Sequence, residues 1–210
     1  MATKADPKKD ESVTTSDKRE ASPPKPLDPL DEQRRRARFG SLFCVVFIAV
    51  LSFIILDDKY LNLNIGGNSS AVQISSYWHK LEFVLCYQSI GISWILFNMI
   101  LVISKRMQTK VVDPIDAKNE RAVLVASAIM QNSIEQFLLS AFAQIISISF
   151  IDKSLLIKVI PLINILFITG RVAFWWGYPK NRTFGFMCSA IPNTLLINYN
   201  LLKFIQSLFF

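Results

Sequence analysis

The sequence predicts an all-α membrane protein, in which a polar tail precedes five apolar segments. Composition is the first reason, because 51% of the residues are hydrophobic and only 19% are charged, which is too apolar for an ordinary soluble domain. The second reason is the position of the charges, since residues 1–38 hold ten of the 23 Lys and Arg and eight of the 16 Asp and Glu. The third is length, because about 20 apolar residues let a helix cross a bilayer. The segments that meet or approach this length are 39–56, 83–103, 122–150, 155–176 and 184–210.

The cysteines, the single histidine and the charge pattern exclude other classes of protein. Cys44, Cys86 and Cys188 all lie within apolar segments, so a disulfide-stapled secreted domain is not expected. His79 is the only histidine, so a structural zinc site lacks ligands and no metal is expected. The net charge of +7 comes from basic residues that flank apolar segments. Because they do not line one face of a domain, no nucleic-acid partner is expected.

The polar tail, residues 1–38, is predicted to be disordered. It consists mainly of Lys, Asp, Ser, Thr and Pro, and such a segment has too little apolar surface to offset the entropy of ordering the chain. A cleavable signal peptide is not expected, because the first apolar segment begins only at Phe39 and is too long. We therefore interpret 39–56 as a signal anchor that forms the first transmembrane helix.

Lysine and arginine are unevenly distributed between the loops, and this pattern predicts the orientation in the membrane. Four arginines directly precede the first span, two lysines lie in the loop at 57–82, and five basic residues lie in the loop at 104–121. Because short basic loops stay in the cytosol, the tail and the second loop are predicted to be cytosolic. The sequon at Asn68 would then face the lumen as a glycosylation site, whereas the sequon at Asn181 would face the cytosol.

Polar side chains within the predicted spans are the main functional clue, because each must be satisfied by another helix or by a polar cavity. Asn132 and Glu135 are three residues apart and share a face of the third span. Arg171 and Tyr178 share a face of the fourth span in the same way. An unpaired carboxylate in hydrocarbon takes up a proton, whereas an opposed guanidinium keeps it ionised. We therefore predict that Glu135 faces Arg171 or Arg182, within one subunit or across an interface.

The other amides in the spans are interpreted as contacts between helices. An interhelical hydrogen bond of this kind contributes on the order of 1 kcal/mol in a membrane. This interpretation covers Asn98, Gln131, Gln144, Asn164, Asn193 and Asn198.

Three motifs around these residues resemble a known family. They are Asn132-Ser133-Ile134-Glu135, then GRVAFWWGY at 170–178, and then NRTFGF at 181–186. In this order they are similar to the MAPEG family, membrane proteins of eicosanoid and glutathione metabolism that include microsomal glutathione transferases and leukotriene C4 synthase. The resemblance implies a MAPEG-like four-helix transmembrane bundle over 83–210, preceded by an extra transmembrane helix at 39–56. It also implies homotrimers that bind glutathione between subunits, toward the cytosolic side.

The same resemblance implies roles for individual residues. Asn132 and Glu135 match an Asn-x-x-Glu pair that contacts glutathione, and Tyr178 matches an aromatic position near the thiol. Arg182 matches the arginine that stabilises the thiolate in the enzymes, so it is the catalytic candidate if this chain is an enzyme. Arg171, in the second motif, is the further candidate for ligand binding.

The chain departs from the enzymes of the family at four positions. The enzymes have an arginine, an aromatic or apolar residue, a proline and a tyrosine where this chain has Ala128, Gln136, Leu138 and Phe174. The missing arginine matters most, because glutathione carries two carboxylates and a charge-assisted contact is worth about 1.5–3 kcal/mol. Its loss is expected to weaken glutathione binding by about tenfold or more.

These departures, together with the tail and the extra helix, resemble the mattrin-like branch of the family. That resemblance implies a non-catalytic, multi-pass protein of the endoplasmic reticulum, Golgi or lysosomal membranes that acts in membrane trafficking or receptor handling. Its partners would be membrane lipids, other membrane proteins and further copies of itself. The alternative is a membrane-bound glutathione transferase or peroxidase for lipophilic substrates, with Arg182 activating the thiolate. A transporter is disfavoured, because the sequence shows no internal repeat.

Overall fold

A computed structural model of the chain describes residues 29–57, 76–109 and 121–209, and this part of the chain is helical. The predicted all-α fold class is therefore confirmed. Each predicted span falls on a separate helix, although the predicted span 122–150 runs three residues past the end of the third helix, and the described ranges contain no strand. The helices are α1 (Pro29–Leu56), α2 (Tyr77–Thr109), α3 (Arg121–Ser147), α4 (Lys153–Gly177) and α5 (Thr183–Phe209).

The first helix begins before the predicted span. Residues 29–38, which we predicted to be disordered as part of the polar tail, form the first turns of α1, so that boundary is wrong. Two charge pairs one turn apart, Arg34 with Asp31 and Arg36 with Glu32, stabilise these turns. The two acidic residues also lie in the first turn, where their negative charges interact favourably with the helix dipole. The rest of the predicted tail, 1–28, lies outside the described residues.

Three of the five described helices, α1, α2 and α4, are long and apolar enough to cross a membrane. By the same measure α3 and α5 fall short. Both carry amides and hydroxyls on their buried faces, including Gln144 on α3 and Asn193 on α5, and these groups lower the mean hydropathy. That α3 and α5 also cross the membrane stays a prediction.

Successive helices run in opposite directions, so two ends of the bundle can be distinguished. The backbone of Gly40 in α1 lies close to the start of α5 at Thr183. At the other end, the Lys158 ammonium in α4 donates to the Leu56 carbonyl that ends α1, 3.2 Å away. We call the end where α1, α3 and α5 begin the basic end. Basic side chains of the described residues at this end are Arg34, Arg35, Arg36, Arg38, Lys105, Arg106, Arg121, Lys180 and Arg182.

The helices α4 and α5 approach each other closely through two glycines. A Cβ added to Gly170 would lie 2.8 Å from the carbonyl oxygen of Gly185, and a Cβ at Gly185 would overlap the backbone of Phe174. Small residues allow this close packing, as is common between membrane helices. The approach holds the α4 residues just after Gly170 against the first turns of α5.

The first helix packs against α5 and α4 rather than against α2 and α3. Cys44 and Ile48 form a buried stripe on α1, in one apolar cluster with Cys188 of α5 and Leu166 of α4. The Phe184 ring of α5 lies between two phenylalanine rings of α1, at centroid distances of 5.4 and 5.9 Å. A large part of α1 nevertheless remains exposed and apolar.

Candidate functional site

Arg171 lies at the centre of the candidate site and has no exposed surface. One guanidinium nitrogen, Nη1, donates a hydrogen bond to the Asn132 amide oxygen at 2.7 Å. The other, Nη2, donates to the Ser189 hydroxyl at 2.6 Å and to the Gly185 carbonyl at 3.4 Å. These bonds link α4 to α3 and to α5, so the arginine joins three helices at one point.

Two aromatic rings complete the environment of this guanidinium. Its central carbon lies 5.0 Å from the centroid of the Phe174 ring and 5.9 Å from that of Phe167, so both rings are within cation–π range. The remaining nitrogen, Nε, is buried without a hydrogen-bond partner in the described part of the chain. Since no carboxylate of the described ranges pairs with Arg171, neutral dipoles and aromatic faces stabilise its charge.

A cavity of about 320 Å³ lies beside this arginine. Its lining brings together two of the predicted site residues, Asn132 and Arg182, and adds Phe174, Thr183 and Phe186. Tyr178 borders the same region, because its ring is 5.4 Å from Phe174 and 6.0 Å from the Arg182 guanidinium carbon. Arg171 lies behind Asn132 and does not line the cavity. An occupant of this cavity would therefore meet the amide of Asn132 and the exposed guanidinium of Arg182.

Glu135 does not join this group. Its side chain is on the exposed face of α3, where one carboxylate oxygen accepts a hydrogen bond from Gln131 at 3.2 Å. Neither Arg171 nor Arg182 forms an ion pair with it within the described residues, so the predicted pairing inside one subunit is wrong. Residues three positions apart lie on one side of an α-helix but differ by about 60° around its axis. This offset places Asn132 toward α4 and α5 and leaves Glu135 exposed at the edge of the same face.

Several of the other amides form a second polar layer, farther from the basic end than the Arg171 site. Gln144 of α3 accepts hydrogen bonds from Gln88 of α2 and Asn164 of α4, both at 2.9 Å. Asn193 of α5 donates to the Gln136 carbonyl of α3 at 3.4 Å. The prediction of interhelical contacts is thus confirmed for Gln144, Asn164 and Asn193. It is wrong within the described chain for three other amides, which bond residues of their own helices, namely Asn98, Gln131 and Asn198.

Sequence reasoning missed Ser189, which holds the Arg171 guanidinium. The spacing of Gly185, Ser189 and Asn193 at four-residue intervals on α5 was the signal that could have found it, because these residues share one helical face. All three are buried. Asn68, the predicted glycosylation site, lies outside the described residues. No group of three or more metal-ligating side chains occurs in the described ranges.

Comparison with models of known protein families assigns the chain to one family. The model of the MAPEG family matches residues 84–202, which is more than half of the 210 residues. The chain belongs to the MAPEG family. The match begins in α2 and ends in α5, so it contains the cavity, Arg171 and the polar layer of this MAPEG protein, while α1 lies before it. Neither curated proteins nor solved structures give a further match.

Proposed function

We propose that this MAPEG protein is a non-catalytic, multi-pass protein of the endomembrane system that acts in membrane trafficking or receptor handling, as in the mattrin-like branch. In this proposal its N-terminus is cytosolic, and it assembles with further copies of itself. The proposal rests on the chemistry that the candidate site offers to glutathione and on the surface that the bundle presents to the membrane.

The lining of the cavity is the observation that carries the non-catalytic part of this proposal. It contains one cation, Arg182, whereas glutathione carries two carboxylates. The second arginine, Arg171, is directed into the protein and is engaged by Asn132 and Ser189. Ala128 stands one helical turn before Asn132, where it supplies no charge. A second carboxylate entering this cavity would lose its hydration without gaining a charged partner, which is unfavourable.

A titration with glutathione tests the absence of catalysis. The purified full chain in detergent should give no calorimetric signal with glutathione at micromolar concentration. It should also not conjugate glutathione to a generic aryl halide above the uncatalysed rate. A microsomal glutathione transferase is the positive control for both measurements. Micromolar binding together with conjugation would overturn the proposal.

The position of Glu135 supports self-association, with a trimer as the expected state. This residue lies near the middle of α3 and is exposed beside Leu138 and Phe142. If α3 crosses the membrane, the carboxylate is at hydrocarbon depth, where a polar group without a partner is costly. Within the described residues its partner is the neutral amide of Gln131, and a neighbouring subunit can supply the charged partner that the described protomer does not.

The cellular part of the proposal needs a separate experiment. A tagged chain should co-localise with Golgi or lysosomal markers, and its removal from cells should change the surface amount of particular receptors. The same cells should show unchanged glutathione conjugation in their membranes. A protein confined to the endoplasmic reticulum, whose removal lowers conjugation, would favour an enzyme instead.

A membrane glutathione transferase is the second candidate, because Asn132 and Arg182 line the same cavity. In that case Arg182 would stabilise the thiolate, and Tyr178 would lie beside it. The thiolate is the reactive form, so a nearby cation is the feature that such chemistry requires. The titration described above separates the two candidates.

A further inference from the structure

A second and larger cavity lies at the basic end of the bundle, next to the candidate glutathione site, with which it shares Arg182 and Thr183. It occupies about 680 Å³ between the N-terminal turns of α1 and the loop that joins α4 to α5. One wall is formed by α1 residues between Gln33 and Gly40, except Arg34 and Arg38, and the other by residues from Pro179 to Phe184. We call it the α1 cleft. Because α1 precedes the residues that match the MAPEG family, the four matched helices alone do not build it.

The α1 cleft is strongly basic. Four cations line it, namely Arg35 and Arg36 on one wall and Lys180 and Arg182 on the other. One carboxylate, Glu32, is near and is bonded to Arg36. Within the described residues, the other three cations form no ion pair. Cations from two separate chain segments thus face one space, and their mutual repulsion is relieved when an anion enters.

The position of the cleft identifies the kind of anion. Phe39 and Phe184 belong to its lining, and the apolar part of α1 begins at Phe39. Trp176, which is 82% exposed, lies at the same end of α4, and exposed tryptophans favour the headgroup layer of a membrane. The cleft therefore lies where polar headgroups meet acyl chains. The exposed apolar face of α1, which includes Leu42 and Phe43, continues from it toward the hydrocarbon.

We propose that the α1 cleft binds the phosphorylated headgroup of an anionic membrane lipid, whose acyl chains lie along α1. Arginine forks and lysine ammonium groups are the side chains that bind phosphate oxygens. Basic pockets between transmembrane helices bind such headgroups in the same way. Arg35 and Lys180 are the principal contacts, one from each wall. Arg182 lines both cavities, but Arg35 and Lys180 line only the α1 cleft of the two, so the inference can be tested separately from glutathione binding.

Two matched pairs of substitutions test the proposal on the full chain in detergent. The probe is a fluorescent short-chain phosphatidylinositol 4-phosphate, and its affinity is measured by anisotropy. Arg35→Gln with Lys180→Gln removes two charges from the cleft and should weaken binding by about tenfold or more. Arg34→Gln with Arg38→Gln also removes two charges at the basic end, from residues that do not line the cleft. This control should change affinity by about twofold or less, because exposed charges that do not contact the headgroup are screened by salt.

Competition distinguishes a lipid from a soluble phosphate. Inorganic phosphate should displace the probe far less well than unlabelled short-chain lipid, because it lacks the acyl chains. Equal displacement by the two would overturn the assignment to a lipid. Equal weakening by both pairs of substitutions would show only general surface attraction and would also overturn the proposal, as would failure of the unmodified chain to bind the probe. All four substituted residues are exposed, and thermal unfolding of both variants checks that the fold is retained.

Discussion

The guanidinium of Arg171 and the amide of Asn132 are joined by a 2.7 Å hydrogen bond that connects α4 to α3. The bond lies in the protein interior, and the same amide faces the cavity beside Arg182. Asn132 therefore serves the stability of the bundle whether or not a ligand binds. The family motif and the helix packing depend on the same side chain.

Breaking this contact should destabilise the protein in a non-additive way. Asn132→Leu leaves a buried charge with fewer partners and should lower the free energy of unfolding by about 1.5–3 kcal/mol. The double variant with Arg171→Met removes the charge as well, so its loss of stability should be smaller than the sum of the losses of the two single variants. Thermal unfolding in detergent measures this. Asn198→Leu is the control, because Asn198 is exposed and bonds its own helix. Additive losses would show that Asn132 and Arg171 are not coupled.

The close approach of α4 and α5 predicts a large effect of a single methyl group. Gly185→Ala places a Cβ against the backbone of Phe174, and this backbone cannot move without shifting α4. The substitution should therefore lower the free energy of unfolding by about 1–3 kcal/mol. Gly40→Ala is the matched control, since its Cβ would lie 3.6 Å from its nearest neighbours and alanine favours a helix. Unfolding midpoints of both variants provide the comparison. A Gly185→Ala variant as stable as Gly40→Ala would contradict the close packing.

Replacement of Glu135 tests self-association. Glu135→Leu should leave membrane insertion and the fold of the subunit intact, because the side chain is exposed and its hydrogen bond within the described residues is to Gln131, but it should alter the oligomeric state. Native mass spectrometry or light scattering in detergent measures the subunit number. Glu82→Leu makes the same chemical change on an exposed residue near the start of α2 and should have no effect. An unchanged subunit number in Glu135→Leu would exclude a role at the interface.

Addition of an arginine tests whether part of the glutathione site is retained. Ala128→Arg supplies a cation one helical turn before Asn132 and should strengthen glutathione binding by about tenfold, which corresponds to about 1.4 kcal/mol. Calorimetry compares it with the unmodified chain, for which weak or no binding is expected. Ala128→Gln is the uncharged control. If neither the arginine variant nor the unmodified chain binds glutathione, Asn132 is a structural residue only.

Protease protection tests the orientation. In sealed microsomes, a tag at the N-terminus should be digested, because four arginines precede the apolar part of α1 and favour the cytosol. A tag after α5 should be protected, because α1 and α5 run in the same direction and their opposite ends face opposite sides. Detergent should make both tags accessible. Protection of the N-terminal tag would reverse the predicted topology.

Much of the fold was predictable from the sequence, because apolar length determines where membrane helices lie. The segment at 155–176, for example, coincides with α4 to within two residues at its start and one at its end. The start of α1 was not predictable in this way, because residues 29–38 are polar and their helix depends on local charge pairs and on continuation from an apolar helix. At the site, the motif identified Asn132 and Arg182, but not that Asn132 and Ser189 bind the Arg171 guanidinium. Which side chain reaches a guanidinium depends on how far two helices are rotated and how closely they approach.

The order of synthesis has a consequence for the buried guanidinium of Arg171. Two of its acceptors, the Gly185 carbonyl and the Ser189 hydroxyl, belong to α5, which leaves the ribosome after α4. Asn132 in α3 is already present, so it is the first partner that the arginine can find during insertion. Until α5 arrives, α4 carries an incompletely solvated charge, which is costly in hydrocarbon. If α5 crosses the membrane as predicted, its insertion completes the hydrogen bonding of Arg171, and we expect it to stabilise α4 in the bilayer.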